Sequence, residues 1–206
     1  MIFKHQYKKL CDEKLMQYIQ RGDVSAFNEL YERYSKRLLF YFYHELGENE
    51  EKAQDFLQEL FLKIVEKPNR FCTDRKFSTW IFTVAHNMCK NEYRRLEIRN
   101  IVDNEVDVHE IPSGIDCDYH PTERNIDQEA FENALMTELE KLEDDHRSTF
   151  LLRFQQNLTL KEIGDILGCS EGTIKSRLFY TTHKLASRLK AFNPYRAEVP
   201  KDERIT

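Results

Sequence analysis

A chain of 206 residues with 40% hydrophobic content can build one ordinary domain or two small ones, but no run in it approaches the roughly 18 apolar residues of a membrane span. The opening MIFKHQYKKLCDEK has no apolar stretch long enough for a secretion signal, so a cytoplasmic protein without membrane insertion is expected. The five cysteines are scattered, odd in number and never spaced as C-x-x-C, which argues against a disulfide framework or a zinc ribbon.

Gly and Pro are sparse, six and five, and no stretch alternates as a strand would. The expected fold class is all-α, two helical domains joined by a flexible acidic linker. Residues 12–99 carry long periodic stretches and read as an N-terminal bundle. Residues 100–130 read as the linker: its stretch 100–124 holds Pro112, Gly114, Pro121 and seven acids, a composition that favours disorder. Residues 131–190 form a second periodic block, and 191–206 a tail that matches nothing.

Within the first block, EEKAQDFLQELFLKIVEK places Ala53, Phe56, Leu57, Leu60 and Ile64 on a buried stripe. Asp55, Gln58, Glu59, Leu62 and Glu66 then fall on the far side. An exposed Leu62 ringed by acids and an amide suits the basic, partly apolar helix of another protein, although single exposed leucines are common. KPNRFCTDRK, 67–76, follows as a donor-rich loop with an aromatic in it, the kind that holds an extruded base by stacking and edge hydrogen bonds. In FSTWIFTVAHNMCKNEYRR the residues Thr83, Asn87, Lys90 and Arg94 share one polar stripe, with Ile81, Ala85 and Met88 on a separate apolar one. Cations near a helix C-terminus also complement its dipole, so this stripe alone does not demand DNA.

In the second block, LTLKEIGDILGCSEGTIKSRL reads as two short helices around a tight turn. Thr159 and Glu162 have capping-box spacing, Gly168 suits a left-handed helix end, and Ser170 can cap the next helix with Glu171 in its first turn. On that helix Ile174, Leu178, Leu185 and Leu189 share a face. Gly172, Ser176, Phe179, Tyr180 and His183 point away from it, flanked by Lys175 and Lys184. Donors in the centre with cations at the edges fit a recognition helix, whose middle reads bases while its borders meet phosphates. A helical hairpin closing any all-α domain shows the same pattern.

The net charge of -5 looks unsuited to DNA until it is divided along the chain. Residues 70–99 carry seven Lys/Arg against three acids, 159–190 six against three, and 100–145 two against fifteen. Two modest basic patches are therefore separated by an acidic strap, which sets the sign of the whole.

In this order, AFNELYERYSKRLLFYFYHEL, DFLQELFLKIVEK, FSTWIFTVAHNMCKNEYRR and LTLKEIGDILGCSEGTIKSRLFYTTHKL closely resemble segments of bacterial extracytoplasmic-function (ECF) RNA polymerase sigma factors of the sigma-70 family. The resemblance covers residues 15–99 and 135–190, and EGTIKSRL is its most specific string. It implies a factor that binds core polymerase, recognises minus-35 and minus-10 promoter elements and aids melting. Asp55, Gln58, Glu59, Phe61 and Leu62 resemble the region 2.2 motif that docks on the clamp helices of the largest polymerase subunit. Asn69, Arg70, Phe71, Arg75, Lys76, Thr83, Asn87, Lys90, Asn91, Arg94 and Arg95 match regions 2.3 and 2.4, which melt the minus-10 element and capture a flipped base. Ser170, Glu171, Thr173, Lys175, Ser176, Arg177, Tyr180 and Lys184 match the minus-35 reader of region 4. The family's further partners are the polymerase flap and an anti-sigma factor, and the free protein is expected to be a monomer. Two domains on such a strap could also close on one another and hide their DNA-binding faces.

Gly164 departs from the family, where alanine is more usual; in a helix it should cost about 1 kcal/mol, so tight packing is expected there. His109, Cys117 and His120 lack a convincing fourth ligand, and no metal or cofactor is expected. No partnered nucleophile or phosphate-cradling loop appears, which argues against an enzyme. The alternative is a stand-alone helix-turn-helix regulator, which accounts for the C-terminal block but not for the face around Glu59 or the loop at 67–76.

Overall fold

A computed structural model describes residues 7–102 and 126–192, and every regular element among them is helical. The first module comprises α1 (Asp12–Ile19), α2 (Val24–Glu45), α3 (Glu50–Glu66) and α4 (Phe77–Val102). The second comprises α5 (Ile126–Glu140), α6 (Asp144–Phe150), α7 (Leu160–Leu167) and α8 (Glu171–Arg188). α4 runs past residue 99 and α5 begins inside the stretch read as linker. The remainder of that stretch, with His109, Cys117 and His120, lies outside the described residues, as does the tail from 193.

Local chemistry sets the boundaries. Asp23 caps α2, its Oδ1 accepting from the amides of Ser25 (2.8 Å) and Ala26 (3.1 Å), and Asn49 caps α3 by accepting from Lys52 N (2.8 Å). α4 is started by its neighbour: the amide of Phe77 donates to Glu13 Oε1 of α1 (2.9 Å). The first core forms where α2, α3 and α4 meet, with Leu38, Tyr41, Phe42, Leu60, Ile64, Ile81 and Phe82 all buried.

In the second module Thr159 and Glu162 complete a reciprocal capping box on α7, Gly168 ends it at φ 69°, and Ser170 caps α8. His146 Nδ1 lies 2.9 Å from Thr181 Oγ1, joining α6 to α8. Between α6 and α7 the chain makes a π-helical turn, Leu151–Gln155, and leaves it through Asn157 at φ 54°.

The two modules are packed together. α4 lies along α7, and the C-terminal half of α2 meets α6. At that crossing Glu45 is buried, its Oε1 accepting from Ser148 Oγ (2.6 Å). The Tyr93 hydroxyl proton is shared between the Glu45 carbonyl and its Oε2, and Arg147 Nη2 lies 3.9 Å from Oε2. The same nitrogen donates to Tyr93 OH (3.2 Å) and Asp144 Oδ1 (2.6 Å), while buried Arg147 Nε has no hydrogen-bond partner among the described residues. Two further ties flank this hub. Arg37 donates from Nε to Gln156 Oε1 (2.8 Å) and from Nη2 to the Gln156 carbonyl (3.2 Å), and Lys76 Nζ lies 2.5 Å from Glu162 Oε1.

Burial pushes the Glu45 carboxyl up to about 7 despite Arg147. Glu48 also rises to about 7, by burial and then by its hydrogen bond with Glu140 of α5, whereas burial and Arg147 bring His44 down to about 4. The two glutamates contribute stability that is complete below about 4.5 and lost as pH rises through about 7. His44 acts in the opposite sense, its contribution present above about 6.5 and lost as pH falls toward 4.

Two tests follow from these contacts. A Cβ on Gly164 would meet the Cys169 carbonyl oxygen at 2.7 Å, whereas at Gly172 the nearest atom is Ser170 Oγ at 3.6 Å. In urea unfolding, Gly164→Ala is expected to lose about 1–3 kcal/mol, and Gly172→Ala to change stability by no more than about 1 kcal/mol. In thermal melts, the difference in Tm between Glu45→Gln and the parent chain should move in the variant's favour as pH is raised from 4.5 to 8. A constant difference across that range would remove the titration of Glu45 from the account.

Candidate polymerase and nucleic-acid interfaces

α3 turns Ala53, Leu57, Leu60 and Ile64 into the core, and its opposite face carries the first candidate surface. Asp55, Gln58, Glu59 and Glu66 are exposed there, and Leu62 stands 56% exposed among them. Glu59 is held by Lys63 at 2.6 Å on the surface. Phe61 is placed otherwise than a docking residue: it is buried against Tyr31, with ring centroids 4.7 Å apart, and Phe27, at 5.9 Å. It supports the face from beneath. Val65, 52% exposed, enlarges the apolar patch; the sequence reading missed it, although it follows Leu62 by one helical turn.

The loop after α3 is more ordered than a donor-rich run suggests. Pro68–Arg70 form a short 3-10 turn, and the side-chain amide of Gln20, the C-cap of α1, donates to the carbonyls of Pro68 (3.2 Å) and Phe71 (3.1 Å). Gln20 carries no motif signal and was not singled out from the sequence. Phe71, read as an aromatic able to stack on a base, is buried against Phe77 and Trp80, each 5.3 Å away between centroids. An aromatic in a short loop gains more from burial, about 1.5–3 kcal/mol, than from exposure to water. The exposed groups there are Asn69, Arg70, Arg75 and Lys76.

Along α4 the polar stripe holds. Asn87, Lys90, Asn91, Arg94 and Arg95 are exposed and Thr83 is half-buried, its hydroxyl donating to the Thr79 carbonyl (2.8 Å). On a flank of the same helix, burial, then Lys90 and Arg177, hold His86 below the usual histidine range, against the opposing charge of Asp145. Residues of the second module are therefore electrostatic neighbours of α4.

α8 presents the third surface. Ile174, Thr181 and Leu185 are buried, and Glu171, Lys175, Ser176, Tyr180 and Lys184 face outward. Phe179 and Tyr180 are 67% and 65% exposed, and the ring of His183 lies within 9° of parallel to Phe179. Ser176 Oγ donates to the Thr173 carbonyl (2.9 Å), which leaves its oxygen lone pairs outward. Ser170 and Thr173 are occupied with the helix cap. Arg177 does not join the outward face: it is bound to Asp145 of α6 and is 20% exposed. Among the described residues no three His, Cys, Asp or Glu side chains group as metal ligands, and no helix is long and apolar enough to cross a membrane.

Each of the two modules matches a known protein family. Residues 30–98 match the family described as Sigma-70 region 2, and 139–187 the one described as Sigma-70, region 4. The chain is 29% identical over 181 residues to the ECF RNA polymerase sigma factor SigW of Bacillus subtilis, covering 86% of this chain and 96% of that protein. It is 28% identical over 189 residues to the ECF RNA polymerase sigma-E factor of Escherichia coli K12, covering 89% and 96%. Its fold is similar to that of the sigma factor RpoE of Bartonella quintana in complex with the anti-sigma factor NepR, with a TM-score of 0.64 and 22% identity over 80% of this chain and 96% of that one. A similar likeness holds to CnrH in complex with the cytosolic domain of CnrY, with a TM-score of 0.63 and 22% identity over 87% and 97%. The chain belongs to the sigma-70 family, in its extracytoplasmic-function group.

Proposed function

We propose that this sigma factor works in the cytoplasm as a non-catalytic, promoter-selecting subunit of RNA polymerase, through the three surfaces above. The observation that carries the reading is their co-occurrence on one chain: an acidic-apolar face on α3, a cationic stripe on α4 and an outward recognition face on α8. The α3 face, Asp55, Gln58, Glu59 and Leu62 with Val65, is the docking surface for the clamp helices of the largest polymerase subunit, where acids ring an apolar centre. The exposed groups of the loop and of α4, Asn69, Arg70, Arg75, Lys76, Asn87, Lys90, Asn91, Arg94 and Arg95 with Thr83, face the minus-10 element. Their amides and cations suit an opened strand and its phosphates.

On α8, Lys175, Ser176, Tyr180 and Lys184 enter the major groove at the minus-35 element, with Glu171 at the helix start. Ser170 and Thr173 shape that start, and Arg177 braces α8 against α6. Chemistry at the growing RNA belongs to the polymerase. An anti-sigma factor is a further partner of this chain, a proposal supported by the two complexes to which its fold is similar.

Run-off transcription with core polymerase and fragmented genomic DNA of the source organism tests the reading. New starts sharing two spaced upstream motifs are expected; no new starts, with duplex binding by the protein alone, would replace the reading with a stand-alone regulator. Glu59→Lys should abolish holoenzyme formation and leave helical content unchanged, because the Glu59 side chain is 54% exposed. In binding assays with the holoenzyme, Ser176→Ala or Tyr180→Ala should cut discrimination at the minus-35 element by about tenfold, the scale of one lost base contact. Polymerase affinity of those variants should stay at the parental value.

A further inference from the structure

The loop that faces the opened strand is held by a helix outside the residues matched by either family, since those matches begin at residue 30. α1 buries Leu15, Met16 and Ile19 in the first core. Glu13 and Gln20, seven positions apart and so two turns along one edge of the chain, reach the loop instead. Glu13 Oε1 accepts from the Phe77 amide (2.9 Å) where the loop becomes α4. The side-chain nitrogen of Gln20 donates to the carbonyls of Pro68 (3.2 Å) and Phe71 (3.1 Å), where the loop leaves α3. One helix therefore holds the loop at both ends.

The two carbonyls bound by Gln20 bracket Asn69 and Arg70, both exposed. A primary amide nitrogen carries two hydrogens, and here they go to different carbonyls, so a single side chain sets the distance across the turn. Without it the turn rests on two backbone bonds, from Arg70 N to the Lys67 carbonyl (3.0 Å) and from Phe71 N to the Pro68 carbonyl (3.3 Å), and a 3-10 turn this short is weakly held. The Pro68 carbonyl already accepts from the Phe71 amide, so the bond from Gln20 fixes its place rather than rescuing an unpaired oxygen.

We propose that Gln20 is a positioning residue for promoter opening: by tying the Pro68 and Phe71 carbonyls to α1, its side-chain amide presents Asn69 and Arg70 to the opened strand of the minus-10 element. The proposal rests on the sigma-factor reading and names the residue that prepares its loop. Binding to a turn already in shape avoids the loss of freedom that ordering it would entail. Gln20 itself makes no DNA contact, because both hydrogens of its amide are occupied by the loop.

The test uses holoenzyme assembled from core polymerase and the full chain, and a promoter fragment that the parental holoenzyme selects from random-sequence DNA. Gln20→Met keeps the length and helix preference of the side chain and removes both donors. Gln20→Glu keeps its shape and also removes them, which covers the case in which the first variant fails to fold. Each should lower affinity for the single strands of the minus-10 segment by about fivefold to tenfold, with affinity for a duplex of the minus-35 segment unchanged. In a chain that already carries Asn69→Ala and Arg70→Ala, the same replacement should cost less than about twofold, because the side chains it positions are gone. In the free chain, amide exchange at Arg70 and Phe71 should quicken by about tenfold.

Parental affinity of both variants for the single strands would overturn the proposal. So would a loss that persists in full in the Asn69→Ala, Arg70→Ala chain, which is the mark of a general weakening of the fold, or amide exchange that stays at the parental rate. Failure of the parental holoenzyme to select any fragment would sink the sigma-factor reading and the role in opening with it, and the exchange comparison would still decide whether Gln20 sets the turn.

Discussion

A carboxylate removed from water is the constraint around which the two halves of this protein are arranged. Glu45 ends α2 of the first module's core and is almost wholly buried, so its oxygens must be satisfied by whatever covers them. Tyr93, from α4, supplies a donor within the module; Ser148 and Arg147 supply the rest from the other one. The second module therefore completes a hydrogen-bonding set that the first leaves open. That completion is imperfect, because Arg147 Nε has no partner among the described residues, and an orphaned buried donor costs about 1–3 kcal/mol. The seam is specific in its geometry without being as favourable as a fully satisfied polar network.

α4 connects the packing to the function. One side of it lies in the first core through Ile81, Phe82 and Ala85, another lies along α7, and a third carries the cationic stripe. Few helices have three occupied sides, and the division explains why α4 is amphipathic only in part. It also ties the position of the stripe to the position of the helix-turn-helix for as long as α4 rests on α7.

The helices and caps were legible in the sequence because their signals are local. Thr159 with Glu162, Gly168 and Ser170 each act within four residues, and all three took the predicted roles. The tight packing expected at Gly164 was legible too, from the misfit between a poor helix former and a helical setting. Signals that depend on distant partners were not. Phe71 has the composition of a stacking loop residue, and only Phe77 and Trp80 folding over it make it core. Phe61 and Arg177 carry motif identities, yet Tyr31 and Asp145 decide where their side chains go. The π-helical turn at Leu151–Gln155 hides inside a continuous periodic block, because one wider turn shifts the apolar phase too little to read. Glu45 gave no sign at all, as an acid near a helix end is normally a surface residue.

Glu162 divides its two oxygens between separate tasks. Oε2 accepts from the amide and hydroxyl of Thr159, closing the cap of α7, and Oε1 meets Lys76 of the first module. A side chain that used one oxygen for both would tie the integrity of the helix-turn-helix to the contact between modules. Here the contact can be broken with the cap untouched. The DNA-reading fold is thereby insulated from the state of the seam, and parting the modules need not loosen either of them.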